Sequence, residues 1–164
     1  VSDQGKTYAA FVEGEVKAER ERRATLDARG QALVTTSGAL VTLLGGLAAL
    51  VKPGTVARFG PAVLLTVCLA LVLLAAAAAC GILAGWNRAY AVATTKTLVE
   101  MTRGHWRDDE VDARNNVATV NLRTVGSLRE ANAFKARWIS IGLIVQVSAL
   151  LVLSAGIVLV VTTA

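Results

Sequence analysis

The chain has 164 residues, 54% of them apolar and 18% charged, with 17 Lys and Arg against 12 Asp and Glu. With a mean hydropathy of +0.55, it is too apolar for a soluble domain of this length. Its surplus of five positive charges is not a nucleic-acid footprint, because acids are interspersed among the bases; attraction to anionic lipid headgroups is the expected use.

The first predicted element is a helix over residues 7–29. Glu13 and Lys17, and Glu19 and Arg23, stand at helix-neighbour spacing in a stretch without proline. Its apolar residues Tyr8, Phe11, Val12, Val16 and Leu26 make only a partial stripe, so this helix needs a partner. Six acids and six bases precede Gln31, unlike the short basic lead of a secretory signal, so the apolar run that follows is read as an uncleaved span.

Three stretches lack Asp, Glu, Lys and Arg: 31–51, 59–87 and 139–164. A hydrocarbon core of about 30 Å needs about 20 helical residues, so each stretch is long enough to cross. The first predicted span, 31–51, carries Thr35, Thr36, Ser37, Gly38 and Thr42 in its first half; hydroxyls are tolerated in a membrane because they return hydrogen bonds to the backbone or a neighbouring helix. The second, 61–85, opens with Pro61 where a helix accepts one. Its cysteines, Cys68 and Cys80, stand about 120° apart around a helix, so they do not bridge each other and are read as lipid-facing or packing residues. The third, 139–161, has one strongly polar residue, Gln146. Helices buried in a soluble bundle would each show a polar stripe, and none of the three does.

Six of the bases precede Gln31, two lie in the turn 52–60, and nine fall between Trp86 and Trp138. Three crossings put the first and third groups on one side, cytoplasmic by the positive-inside rule. The expectation is therefore an all-α integral membrane protein of the bacterial inner membrane with three transmembrane helices extended into a cytoplasmic helical stalk. Its parts are an N-terminal cytoplasmic helix 1–30, spans 31–51, 61–85 and 139–161, a cytoplasmic hairpin 86–138, and the extracytoplasmic turn 52–60 (Lys52, Pro53, Gly54) and tail 162–164. Within the hairpin, Trp86, Tyr90, Ala93, Thr97 and Met101 fall at helical spacing, and Arg103, Gly104, His105 and Trp106 break the helix. Asp108 then caps another helix with Asp109, Glu110 and Asp112 in its first turns, and only Gly126 interrupts it before Trp138. Trp86 and Trp138 mark the two cytoplasmic mouths as interface anchors, with ligand stacking as the alternative.

His105 among these acids could be drawn as a metal site, but a capped helix start explains the same acids. No phosphate loop, thiol pair or serine-nucleophile motif is present, so no enzyme, cofactor or metal is expected. Spans without ionisable residues also argue against proton-coupled transport. What the spans carry is small-residue spacing: Gly38, Thr42 and Gly46; Ala77, Gly81 and Gly85; and Ser148 with Ala155 one heptad on. Gln146 needs a hydrogen-bond partner in hydrocarbon, either from a neighbouring copy or from Thr66 or Ser37 of the same chain. Gly38, Thr42, Gly46, Gln146 and Ser148 are thus the candidates for oligomer contacts or a pore lining.

The run Leu26-Asp27-Ala28-Arg29-Gly30-Gln31-Ala32-Leu33, leading into Ser37-Gly38-Ala39-Leu40, resembles the Asp-x-Lys-Ala-x-x-Leu lead-in to the first membrane helix of bacterial Pycsar-type effector proteins. The run Glu130-Ala131-Asn132-Ala133-Phe134-Lys135-Ala136-Arg137 is similar to the Asn-x-x-Lys-Ala lead-in of those proteins and of the related SLATT membrane effectors. Together the two cover about thirty residues. Arg29 stands for the lysine, Gly30 for the alanine, and three spans for the usual two. The resemblance implies Asp27, Arg29, Asn132 and Lys135 as motif positions, and a homo-oligomeric effector that opens or disrupts the inner membrane in antiphage defence, answering to a small nucleotide signal. A structural anchor whose stalk docks a cytoplasmic protein partner is the other reading of the same residues. Neither involves nucleic acid.

Overall fold

The computed structural model describes residues 4–50, 60–86 and 89–163. Four helices follow in order: α1 (Gln4–Leu50), α2 (Pro61–Gly85), α3 (Thr95–Arg103) and α4 (Glu110–Thr163), with no strand among the described residues. Two of them, α2 and α4, are long and apolar enough to cross a membrane. The predicted turn at Lys52, Pro53 and Gly54 and the last residue, Ala164, lie outside the described residues. The chain divides into two compact units, one made of Val1–Thr25 with Asn87–Phe134 and the other of Leu26–Trp86 with Lys135–Ala164.

The helices form because nothing within them offers the backbone an alternative. The hydroxyls of Thr25, Thr35, Thr36 and Thr42 in α1 each donate to the carbonyl four residues back, as do those of Thr119, Thr124, Ser140, Ser148 and Ser154 in α4. These bonds satisfy polar groups inside the helix that bears them. Gly126 does not interrupt α4, which runs through it.

Buried positions recur at alternating intervals of three and four. On α1 they are Val16, Glu19, Leu26, Gly30, Leu33 and Ser37, with half-buried Arg23 completing the series. On α4 the series is Val125, Leu128, Asn132, Lys135, Ile139, Gly142, Ala149 and Gly156, with Gln146 and Leu153 half-buried between them and Thr124 and Ala131 buried beside it. On α2, Ala70, Leu74, Ala77, Gly81 and Ala84 follow the same rule. This is the seam of knobs-into-holes packing.

In the second unit all three seams converge. Leu26 packs with Ala84 and Ile139, and further along Leu33 packs with Ala77 and Cys80. Ascending numbers on α1 thus meet descending numbers on α2, while Asp27 with Lys135 and Thr36 with Gln146 ascend together. Within this unit α1 and α4 therefore run parallel, and α2 runs antiparallel to both.

Glycine permits the closeness. A Cβ on Gly81 would lie 2.8 Å from the Gly30 carbonyl oxygen and 2.7 Å from Val34 Cγ2, and one on Gly156 would lie 2.8 Å from Thr66 Oγ1. A Cβ on Gly142 would strike the side chains of Leu33 and Cys80. Two of the expected small-residue lines shift accordingly. Ala77 and Gly81 are packed but Gly85 is open, and on α4 the close heptad is Gly142, Ala149 and Gly156, one position on from Ser148 and Ala155. The third line, Gly38, Thr42 and Gly46, is exposed, with nothing within 4 Å of a Cβ at either glycine. Cys68 is exposed and Cys80 buried, both as free thiols.

The first unit departs from expectation after Trp86. The predicted continuous helix to Met101 is replaced by an irregular stretch at 89–94, followed by α3. Tertiary contacts outweigh helical spacing here: the Arg23 guanidinium lies 4.6 Å from the Tyr90 ring centroid, and the Ala91 N–H donates to Ser127 Oγ at 2.9 Å. Thr94 then caps α3 by accepting from the Thr97 N–H. At the start of α4 the cap is Asp109 rather than Asp108, with Asp109 Oδ1 accepting from the Val111 N–H at 2.8 Å. Asp108 is instead engaged by His105.

Gly81→Ala is expected to lower stability in detergent by about 1–3 kcal/mol, because the Gly30 backbone carbonyl as well as the Val34 methyl opposes the new methyl. Gly38→Ala, in open space, is expected to raise it by about 0.5–1 kcal/mol through reduced backbone entropy. Denaturant titration followed by helical circular dichroism reads both, and equal effects would contradict the packing described.

Candidate functional site

A polar residue on an apolar seam costs free energy unless its hydrogen bonds are met. The α1 and α4 seams carry several such residues, and the structure pairs Glu19, Asn132, Lys135 and Gln146. In the first unit the centre is Glu19, whose side chain is only 10% exposed. Its Oε2 accepts from Asn132 Nδ2 at 2.8 Å and its Oε1 accepts from Arg129 Nε at 3.3 Å. The same Asn132 amide also donates to the Glu19 backbone carbonyl at 2.9 Å, so one fully buried side chain holds both the backbone and the carboxylate of the facing residue. Arg129 extends to Glu15, and Arg22 stands 3.8 Å from Glu19 on its own helix. The carboxylates are thereby matched by guanidinium groups, which lowers the cost of holding Glu19 out of water.

In the second unit Lys135 is 2% exposed, and its ammonium donates to Asp27. The Asp27 side chain keeps 45% of its surface. The lysine stem lies in the seam and delivers its charge to a carboxylate that is still hydrated on one side, the arrangement that makes a buried lysine affordable. About three turns further along α4, Gln146 Nε2 donates to Thr36 Oγ1 at 2.9 Å, and the Thr36 hydroxyl donates in turn to the Ala32 carbonyl. Gln146 thus finds its partner within the chain, at Thr36 rather than at Thr66 or Ser37. Thr66 donates to the Val63 carbonyl, and the buried Ser37 hydroxyl has no partner among the described residues.

Of the four motif positions, Lys135 and Asn132 lie on the α4 seam and Asp27 beside the α1 seam: Asp27 pairs with Lys135 in one unit, and Asn132 with Glu19 in the other. Arg29 is exposed. Of the interface anchors, Trp86 is 66% exposed, whereas Trp138 is half-buried and packs against both the Leu26 and Leu33 clusters. Ser148 is half-buried and donates to the Ile144 carbonyl. Glu15, Glu19, Arg129 and Thr36 were not singled out by sequence reasoning. Only Glu19 carries a signal of its own, a charged residue falling on the three-four spacing of the buried face; Glu15, Arg129 and Thr36 lie beside that face, and only the facing helix identifies them.

Outside the seams, His105 Nδ1 and Asp108 Oδ2 lie 2.8 Å apart in the turn before α4. They border an open, largely apolar hollow of about 320 Å³ against Met101, Trp106 and Val117. Comparison with protein-family models, characterised proteins and solved structures finds no match for this chain. The chemistry of the paired seam residues is that of charge pairing, which fixes register.

Asn132→Leu leaves the Glu19 carboxylate short of a buried donor, and is expected to cost about 1–3 kcal/mol. Arg129→Ala is expected to cost less than about 1 kcal/mol, because the arginine side chain is 56% exposed. Unfolding free energies of the two variants check the order, and a reversed order would contradict Glu19–Asn132 as the tighter contact.

Proposed function

We propose that the chain is a bacterial inner-membrane protein with three spans and a cytoplasmic N-terminus, acting as a homo-oligomeric effector that forms a pore or perturbs the membrane in antiphage defence. Three spans are supported by the second unit, where α1 lies in contact with both apolar helices, parallel to α4 and antiparallel to α2. A helix in register with two membrane-crossing neighbours shares their depth. The cytoplasmic assignment of residues 1–30 and 86–138 rests on the excess of bases there.

The observation that carries the oligomer is the open line of Gly38, Thr42 and Gly46. Small residues let membrane helices approach closely, and this line packs against no other helix among the described residues. With Gln146 already bonded to Thr36, the open line rather than a lone amide is the feature left for a second copy. The effector role is supported by the motif positions that the fold draws into pairs on facing helices. The anchor reading is favoured by one feature, Trp106, 77% exposed beside the apolar hollow of the first unit. A docked cytoplasmic protein would cover it.

Single cysteines at Lys6 and Arg107, in a chain with Cys68 and Cys80 replaced by Ala, are both expected to resist a membrane-impermeant thiol reagent in intact cells. Labelling of one but not the other would end the three-span topology. Reconstituted into liposomes, the wild-type chain is expected to release trapped dye. A Gly38→Leu, Gly46→Leu double variant should lose at least tenfold of that rate while keeping its helical content. A folded wild-type oligomer that leaks nothing would overturn the effector reading, and a stoichiometric copurifying protein would favour the anchor.

A further inference from the structure

The second unit contains four described charged residues: Asp27, Arg29, Lys135 and Arg137. Asp27 and Lys135 neutralise each other. Arg29 and Arg137 are both exposed, and neither has an acidic partner among the described residues. Each arginine stands two positions beyond a member of the Asp27–Lys135 contact, about 200° around its helix. Arg29 therefore leaves α1 on the side away from α4, and Arg137 leaves α4 on the side away from α1.

Their depth is common. The Leu26, Ala84 and Ile139 cluster sets a level shared by α1, α2 and α4. Arg29 is three residues past that level, and Arg137 is two before it. Trp86, 66% exposed, is two past Ala84 on the antiparallel α2. At about 1.5 Å per residue, the three fall within about 8 Å along the helices. A headgroup layer is about 5–8 Å deep. The uncharged runs begin immediately beyond, at Gln31 and Ile139.

We propose that Arg29, Arg137 and Trp86 form a collar that binds the phosphates of anionic lipid headgroups. The inference rests on the reading that this unit crosses a bilayer. Guanidinium groups take phosphate oxygens bidentately, and an indole at the same depth suits the interface. The occupant follows from geometry as well as charge: the arginines leave opposite sides of a helix pair. A single docked domain would have to encircle the pair to meet both, whereas headgroups surround it already. Buried Lys135 keeps the nearest carboxylate, Asp27, neutralised, so it does not repel the phosphates.

The full chain carrying Trp106→Phe, which leaves Trp86 and Trp138 as reporters, is reconstituted in phosphatidylcholine vesicles. These contain a minor share of phosphatidylglycerol or phosphatidylcholine spin-labelled near the top of the acyl chain. Phosphatidylglycerol is expected to quench preferentially, with a relative association up to about fivefold higher per arginine, falling as salt rises. An Arg29→Gln, Arg137→Gln double variant should lose the preference, and Arg29→Lys with Arg137→Lys should keep most of it. Equal quenching by the two lipids, or a preference that survives the glutamine substitutions, would overturn the collar. Quenching by neither lipid would instead overturn the membrane-spanning reading beneath it.

Discussion

Close backbone approach at glycine is the constraint on which the second unit depends. Apolar side chains gain little by leaving hydrocarbon for one another, so helices in a bilayer associate through packing and interhelical hydrogen bonds. Gly81 against the Gly30 carbonyl, Gly142 against Leu33 and Cys80, and Gly156 against Thr66 are the points where α2 meets α1, α4 meets both, and α4 meets α2. Between them, Ala77, Ala84 and Ala149 keep the separation small. A larger residue at any of the three glycines would part the helices and lengthen every neighbouring contact.

Packing alone leaves register weakly specified, because a seam of alanine, leucine and glycine is nearly the same after a slip of seven residues. The polar members of the seam remove that degeneracy. Lys135 meets a carboxylate only at Asp27, and Asn132 reaches both the backbone and side chain of Glu19 only in the observed register. A slipped arrangement would leave a buried ammonium and a buried carboxylate unpaired, each costing several kcal/mol. This is how a polar residue specifies alignment in a coiled coil, at some cost in stability.

The same division explains what is left open. In the second unit the glycines that would clash with a Cβ are buried, whereas Gly38 and Gly46 are exposed and meet nothing among the described residues. Glu19 and Lys135 on the seams have charged partners, whereas the exposed Arg29 and Arg137 of the second unit have no acidic partner among the described residues. The outward features are thus small residues and arginines, suited to other helices and to lipid phosphates. The inward features serve the fold.

Helical class, the apolar runs and the expectation that the N-terminal helix continues into an apolar segment could be read from the sequence, because run length and charge distribution are properties of one strand of chain. The seam on α1 could not be found by hydrophobicity, since Glu19, Arg23, Gly30 and Ser37 occupy its buried positions and leave only Val16, Leu26 and Leu33 as apolar markers. The heptad that packs within the second unit lies one residue on from Ser148 and Ala155 for a related reason: Ser148 and Ala155 are as small as Ala149 and Gly156, and only the facing helix distinguishes them. The stretch at 89–94 kept helical spacing yet was drawn out by Arg23 and Ser127, which lie far away in sequence. Composition and periodicity determined that this chain is helical and rich in membrane-length apolar runs. Which face of each helix is buried, and which acid holds which base, was decided by tertiary structure, because those choices depend on what stands opposite.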